Sequence, residues 1–277
     1  MSAVTLVFQP TVIPLFEMTP DPEGLESLVR WIAEYRPDCL PNGEESRAKD
    51  LFPHDGRDVD GRELTGNELL VELAGRNCYH SYGAKAGRKT NRDYIAHSQS
   101  GSVPHRSIMY HAKATFFVAG ISRRLSHELI RHYVGADRSE EGSPSMESTR
   151  YTFHPGHFIV PPKMLGNDEE LHFREDSQTF YNAYLGYLKR ETERYKEKHG
   201  GVEPKGSERK QIYEAASGLL HQQAATSFFW TANPVSLAKM FAERTDATAD
   251  AEFQRLALKW RETCESRWPN LFPKEWR

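Results

Sequence analysis

Residues 103–151, VPHRSIMYHAKATFFVAGISRRLSHELIRHYVGADRSEEGSPSMESTRY, decide how the chain is read. They carry seven lysines and arginines and four histidines, and charged side chains are seldom buried without partners. Val118, Ile121, Leu125 and Leu129, three and four residues apart, share one helical face, while Arg124, His127, Glu128 and Arg131 fall on a neighbouring polar face. The spacing predicts a helix from Ile108 to about Tyr133, with His132 at the border of the two faces. Gly135 and the Gly142-Ser143-Pro144-Ser145 cluster then enforce a loop, and residues 151–161, YTFHPGHFIVP, predict a strand.

Outward from that stretch, residues 4–16 predict a strand interrupted by prolines. Residues 21–35 predict a helix on Leu25, Leu28, Val29, Ile32 and Ala33. Residues 36–65, rich in Pro, Gly, Asp and Arg, have no periodicity and form a long loop. Helices follow at 66–81, on Leu69, Leu70, Leu73 and Ala74, and at 91–99, joined by a basic, turn-prone linker that suits a solvated surface better than a phosphate. Beyond the central stretch, a charged helix over 168–199 buries Phe173, Phe180, Tyr184 and Tyr187, and a helix spans 209–226. An aromatic strand or turn at 227–233 leads into a helix begun near Pro234, a favoured first-turn residue. A last helix covers about 248–265. No repeat or low-complexity tract interrupts this order.

With 277 residues and 38% hydrophobic content, the chain can bury a full core. We read it as a single domain, 1–277, with an extended N-terminal segment over about 1–65. A formal charge of −3 argues against a nucleic-acid surface, which needs a basic excess; partners are expected to be small molecules, anionic where arginines converge. Three cysteines, Cys39, Cys78 and Cys264, show no C-x-x-C spacing, so neither a disulfide framework nor a zinc ribbon is expected. The N-terminal stretch lacks a basic start and is broken by Pro10 and Pro14, and no apolar run approaches a membrane span. A soluble cytoplasmic protein without membrane contact is expected.

Arg124 and Arg131 share a helix face in this reading, and Arg150 arrives from the loop beyond. Three guanidinium groups in proximity repel unless an anion lies between them; alternatively each pairs with an acid such as Glu128, Asp137 or Glu147. Both readings stand at this point. His105, His111, His127 and His132 invite a metal, but no carboxylate or cysteine joins them at ligand spacing and H-E-x-x-H is absent; no metal is expected. A serine nucleophile has no G-x-S-x-G turn.

The segment PHRSIMYHAKATFFVAGISRRLSHELIRH resembles the core of the flavin-dependent thymidylate synthases, whose pattern runs through GH-x-S/T, an E-H pair, a G-[IV]-S-R element and H-Q-L-V-R-H-R, then a serine followed by x-R-Y. Here these fall on Arg131, His132 and Tyr133, then Ser148, Thr149, Arg150 and Tyr151. Upstream, AGRNCYHS resembles the family's A-A-R-x-C-Y; downstream, FFWTANPVSLAKMFAERTDATADAEF resembles F-x-W-T-x-N-x-R-S-L-x-N-F-L-x-L-R. The likeness spans about residues 70–260. It implies an α/β, mixed fold with long helices and an antiparallel sheet, and a homotetramer whose active sites are shared between subunits. It also implies reductive C5-methylation of a uridine nucleotide, UMP or dUMP, with methylenetetrahydrofolate as carbon donor, FAD as hydride carrier and NADPH as reductant.

Carried over by position, the resemblance implies that His105, Ser107 and Arg131 contact the flavin, with His132 beside its ring and Asn233 in support. Glu128, Ser148, Thr149 and Arg150 fall at nucleotide-binding positions. Arg244 reaches the uracil edge, where its charge stabilises an electron-rich ring. Arg244, Arg150 and His132 are thus the catalytic candidates.

Several positions depart from the pattern. Tyr133 and Val235 replace arginines that grip the flavin's phosphates, Tyr110 replaces the Glu of the E-H pair, and Lys239 replaces an Asn. Arg106, Lys113, Arg138 and Lys239 are candidates to compensate. On the nucleotide side Glu128, Met146 and Ser217 replace Gln, Glu and Arg, and the loop from Tyr133 to Ser148 is longer. Changed polar contacts at the sugar are what a ribonucleotide preference requires, so UMP in place of or beside dUMP is the expected substrate. A dUMP-specific synthase and a non-catalytic flavin- or nucleotide-binding protein are the alternatives.

Overall fold

The computed structural model describes residues 3–83, 90–100, 105–132 and 143–272. Its centre is an antiparallel four-stranded sheet in the order β2-β3-β6-β4, made of β2 (Thr11–Glu17), β3 (Ala114–Ser122), β4 (Ser143–Met146) and β6 (Ala225–Ala232). Two short strands, β1 (Thr5–Val7) and β5 (His157–Ile159), pair in parallel beside it. The prolines obey strand chemistry: Pro14 and Pro144 lie in β2 and β4, the two edge strands, where a missing N–H is tolerated. Pro10 lies between β1 and β2 and separates them.

One face of the sheet carries the main core. Phe116, Val118, Phe228 and Trp230 point into it and meet helix α8 (Ala251–Arg267). Trp260 and Trp268 approach Phe116 edge-on, with ring centroids at 5.1 and 5.8 Å. Helices α2 (Gly66–Tyr79) and α7 (Pro234–Arg244) close the same core through Val71, Leu237, Met240 and Phe241. A second cluster joins β1 and β5 to α5 (Glu169–Lys198) and α6 (Ser207–Ser217). A third packs α1 (Pro22–Tyr35) on the segment that follows it, which holds three short 3-10 turns rather than being irregular throughout. Helix α3 (Asn91–Gln99) lies against α2.

The central stretch departs from the predicted helix. Residues 106–111 form a 3-10 turn, 114–122 form β3, and only Arg123–Leu129 is α-helical (α4), continued by a 3-10 turn at Ile130–His132. A bulge explains the helix-like spacing. In β3 the even positions Ala114, Phe116 and Val118 are buried, but Gly120 is inserted where pairing jumps from Ala119 to Ile121, so the next buried residue is three on, not two. Gly120 has φ +68°, and a Cβ there would stand 2.6 Å from the Gln9 carbonyl, so only glycine fits. Val118, Ile121, Leu125 and Leu129 are all buried, on a strand and a helix in succession.

Three smaller expectations also change. The strand at 151–161 contracts to β5. The helix over 209–226 ends at Ser217 as α6, and residues from Ala225 enter β6. On α5 the buried side runs through Phe173, Ser177, Tyr181 and Tyr184, with Tyr187 packed against the same cluster; only Phe180, 46% exposed, leaves the expected stripe, and Tyr181 takes its place against His154 and Phe158. Tyr133 and residues 134–142 of the lengthened loop, with Arg138, lie outside the described residues.

Candidate active site

The corner where β3 becomes α4 is built by Ser122. Its Oγ caps the helix by accepting from the Leu125 N–H at 3.0 Å. The same hydroxyl and the Ser122 N–H both donate to the Glu252 carboxylate at 2.8 Å. Glu252 stands in the first turn of α8, behind the cap residue Asp250, and is itself buried. Arg124 completes the clasp by donating to Glu128 at 3.0 Å, Asp250 at 3.0 Å and Glu252 at 3.1 Å. Its bond to Asp250 raises the guanidinium pKa against the cost of burial. Burial alone would raise the Asp250 carboxyl, but Arg124 and the α8 amides outweigh that and hold it below the usual carboxylate value. Arg124 is therefore held by acids, Glu128 among them, and is not available to an anion.

Beyond this clasp three chain ends converge: the turn after α4, the end of α7 and the start of α8. Arg244, the last residue of α7, donates from Nε to Nε2 of His132 at 2.9 Å. Its guanidinium lies over the Phe253 ring, 4.8 Å from the centroid, and that ring meets His132 edge-on at 5.4 Å. Glu128 is near but not bonded, with Oε2 at 3.9 Å from Arg244 Nη1. Glu243 stands 3.8 Å from the other imidazole nitrogen. Burial is the main cause that lowers the His132 pKa, followed by the charge of Arg244, with Glu243 opposing. A neutral imidazole is also what the bond demands, since only an unprotonated Nε2 can accept. His132 side-chain exposure is 13% and that of Arg244 is 25%, so the pair is partly sheltered yet open on one side.

The other expected site residues distribute differently. His105 and Ser107 flank the start of the 106–111 turn and are exposed, with Tyr79 meeting the His105 ring edge-on at 6.3 Å. Arg131 is exposed beside His132. An imidazole, a hydroxyl and a guanidinium on the surface are suitable donors for a flavin and its phosphates. Asn233 is 2% exposed and uses Oδ1 to cap α7, accepting from the Ser236 N–H at 2.9 Å and its hydroxyl at 3.2 Å; that oxygen is committed to the helix. Val235, where the resemblance leads one to look for an arginine, packs in the core. Ser148 and Thr149 are half-buried just past β4, and Arg150 is exposed with its guanidinium 5.6 Å from the Tyr151 ring centroid. Neither Arg150 nor Ser148 bonds to the Arg244 group. Ser217 spends its hydroxyl on the Glu214 carbonyl of its own helix.

Sequence reasoning missed Glu243, Asp250, Glu252 and Phe253. The signal for two of them was present: an Asp followed by a Glu ahead of an apolar-periodic run marks a helix start, and its acids face whatever cation docks there. Phe253 and Glu243 carry no such mark; their roles depend on how α7 and α8 cross.

Compared with known proteins, the chain matches the model of the family described as thymidylate synthase complementing protein over residues 62–270. A flavin-dependent thymidylate synthase of Mycobacteroides abscessus is 33% identical over 205 residues, 73% of this chain and 77% of that protein. Another, from Corynebacterium efficiens, is 29% identical over 213 residues, 75% of this chain and 79% of that protein. Among solved structures, the UMP/dUMP methylase PolB of Streptomyces cacaoi bound with 5-Br dUMP aligns over 97% of this chain and 95% of its own at a TM-score of 0.57 and 14% identity, a likeness of fold. Among the described residues, no helix is long and apolar enough to cross a membrane. The motif order, the sheet and these matches agree: the chain belongs to the thymidylate synthase complementing protein family, together with the flavin-dependent thymidylate synthases.

Proposed function

We propose that the protein is an FAD-dependent methyltransferase that methylates C5 of a uridine monophosphate, UMP or dUMP, with methylenetetrahydrofolate as carbon donor and NADPH as reductant. The observation that carries this reading is the Arg244–His132–Phe253 group. It joins the two stretches of the chain that hold the family motifs, and it presents a cation that no carboxylate among the described residues meets at hydrogen-bond distance, Glu128 standing at 3.9 Å. Uracil C5 is a poor nucleophile; a guanidinium at the ring's carbonyl edge stabilises the electron density that must build there. The flavin, when bound, supplies the hydride. His105, Ser107 and Arg131 are the residues placed to hold it, and Asn233 supports them through the start of α7 rather than through its own carbonyl.

Ser148, Thr149 and Arg150 are assigned to the nucleotide's phosphate and sugar. Within one chain they make no hydrogen bond or ion pair with the Arg244 group, and Arg150 is exposed. Both facts suit a homotetramer in which each site draws on more than one subunit, with each subunit a single domain. Glu128 and Met146, standing where the family pattern has Gln and Glu, change the polar contacts on the nucleotide side, as a ribonucleotide preference requires. The curated relatives are synthases of thymidylate by name, which favours dUMP alone as the second reading. Anaerobic incubation of the purified enzyme with FAD, NADPH, methylenetetrahydrofolate and each nucleotide, followed by mass spectrometry, separates the two. We expect methylated product from UMP. Product from dUMP alone removes the ribonucleotide assignment, and no product with bound flavin leaves a binding protein.

A further inference from the structure

We infer that His132 is a positioning residue for Arg244: its imidazole accepts from Arg244 Nε, pins the guanidinium over Phe253, and leaves both terminal nitrogens without a hydrogen bond to any described residue and so open to the substrate. The inference rests on the assignment of Arg244 to the uracil ring and departs from a role for His132 as a flavin ligand.

Three observations carry it. First, the Nε–Nε2 distance of 2.9 Å is an ordinary hydrogen bond, whereas the nearest carboxylate among the described residues, Glu128, stands 3.9 Å from Nη1 and is itself engaged by Arg124 at 3.0 Å. Second, Phe253 touches both partners, under Arg244 and edge-on to His132, so the pair shares one apolar floor. Third, the partner is neutral. A bidentate carboxylate, as at Arg62 and Glu68, where two bonds of 2.9 Å form, also fixes a guanidinium but cancels its charge. An imidazole orients the group and leaves its charge available to an electron-rich ring.

The same bond makes the arrangement sensitive to pH. Protonation of Nε2 removes the acceptor and sets a cation against Arg244, with Arg131 and Lys239 adding to the repulsion and Glu243 opposing it. With its pKa held below 6.5, His132 is neutral at pH 7 and the bond is lost as pH falls through the lowered value.

The test compares flavin-loaded wild type, His132→Leu and His132→Gln. Glutamine keeps an acceptor oxygen that cannot be protonated in this range; leucine has none. We expect His132→Leu to lower kcat about 10- to 100-fold, the scale of a misplaced catalytic group, with flavin absorption and flavin affinity unchanged. His132→Gln should restore most of kcat and abolish the acid limb of the pH profile. Nitrogen-15 NMR of the labelled imidazole at pH 7 should show the proton on Nδ1, a readout independent of turnover. Loss of flavin from His132→Leu, an Nε2-protonated ring, or an unchanged kcat in His132→Leu overturns the inference. If the wild type itself methylates neither nucleotide, the proposed function fails, while the tautomer measurement still decides whether His132 accepts from Arg244.

Discussion

Two clusters in this molecule are made of the same three residue types and do opposite things. In the first, Glu72 accepts from His54 at 2.9 Å, from Arg76 Nε at 2.7 Å and from Asn91 at 2.7 Å. Arg76 also donates to the Ser81 carbonyl at 3.0 Å and lies over the Tyr94 ring at 4.5 Å. Glu72 and Arg76 are both 0% exposed. In the second, Glu128, His132 and Arg244, the carboxylate pairs elsewhere, the histidine accepts instead of donating, and the arginine keeps a quarter of its side chain exposed. Which group takes the carboxylate decides the outcome. A closed cluster cancels its charges and holds α2, α3 and the 36–65 segment together; an open one keeps a cation with work left to do. Arg76 belongs to AGRNCYHS, one of the stretches that carry the family likeness, so part of that likeness is architecture.

The largest expected effect comes from opening the closed cluster. Glu72→Ala leaves Arg76 buried without its carboxylate, which costs about 3–5 kcal/mol, read as a lowered urea midpoint. The reverse expectation holds for pH. Burial raises the Glu72 carboxyl, but His54, Arg76 and Asn91 outweigh it and hold its pKa below 4.5. That stabilisation is present at neutral pH and is lost as pH falls through the lowered value.

A third histidine, His154, calibrates what burial alone does. It is 5% exposed among Phe158, Tyr181 and Tyr184, and burial pushes its pKa down to about 4. The unfolded chain takes up this proton near pH 6.5 and the folded one near 4, so stability falls by about 3 kcal/mol across that window. His154→Phe should flatten this part of a denaturation-versus-pH curve. An unchanged acid slope would show that burial leaves the His154 pKa the same in the folded and the unfolded chain. Next in size is Arg244→Lys, which keeps the charge but loses the planar fork and the Nε donor. We expect kcat to drop about 100-fold, near 2.7 kcal/mol, with the urea midpoint unmoved. Glu72→Ala should show the opposite split: a lowered midpoint, with turnover per folded, flavin-loaded molecule retained.

How far the sequence could be read follows from the same physics. Helices with a local signal were legible: α1 from its apolar spacing, α7 from Pro234 at its start, α5 from its length. The α3 assignment held although its periodicity is weak. What failed was phase. Gly120 inserts one residue into β3 and turns an alternating strand into the imitation of a helix, and α5 buries Tyr181 where Phe180 looked the better hydrophobe. The site was legible as a set of residue types on a motif, which brought Arg244, His132 and Glu128 to notice. Their grouping was not, because it depends on where the ends of α4, α7 and α8 meet. The acids that disarm Arg124 come from residues 250 and 252, more than a hundred positions away, beyond any local pattern.

The smallest effect is the most discriminating, because one substitution enters both clusters. His54 donates to Glu72 and accepts from the Gly56 N–H at 3.2 Å, and its side chain is only 8% exposed. A glutamine cannot place a donor and an acceptor as an imidazole does, so His54→Gln should cost about 1 kcal/mol, one net hydrogen bond. In the open cluster His132 serves Arg244 through a single acceptor, which glutamine can supply. His132→Gln should therefore shift stability by less than about 0.5 kcal/mol and register in the pH dependence of turnover. Urea midpoints of both variants at pH 7.5, with rate profiles from pH 5 to 8, make the comparison. Equal stability losses with unchanged profiles would mean that the two clusters differ in burial alone; a loss confined to His54→Gln and a flattened acid limb confined to His132→Gln separates a charge used to hold the fold from a charge held ready for substrate.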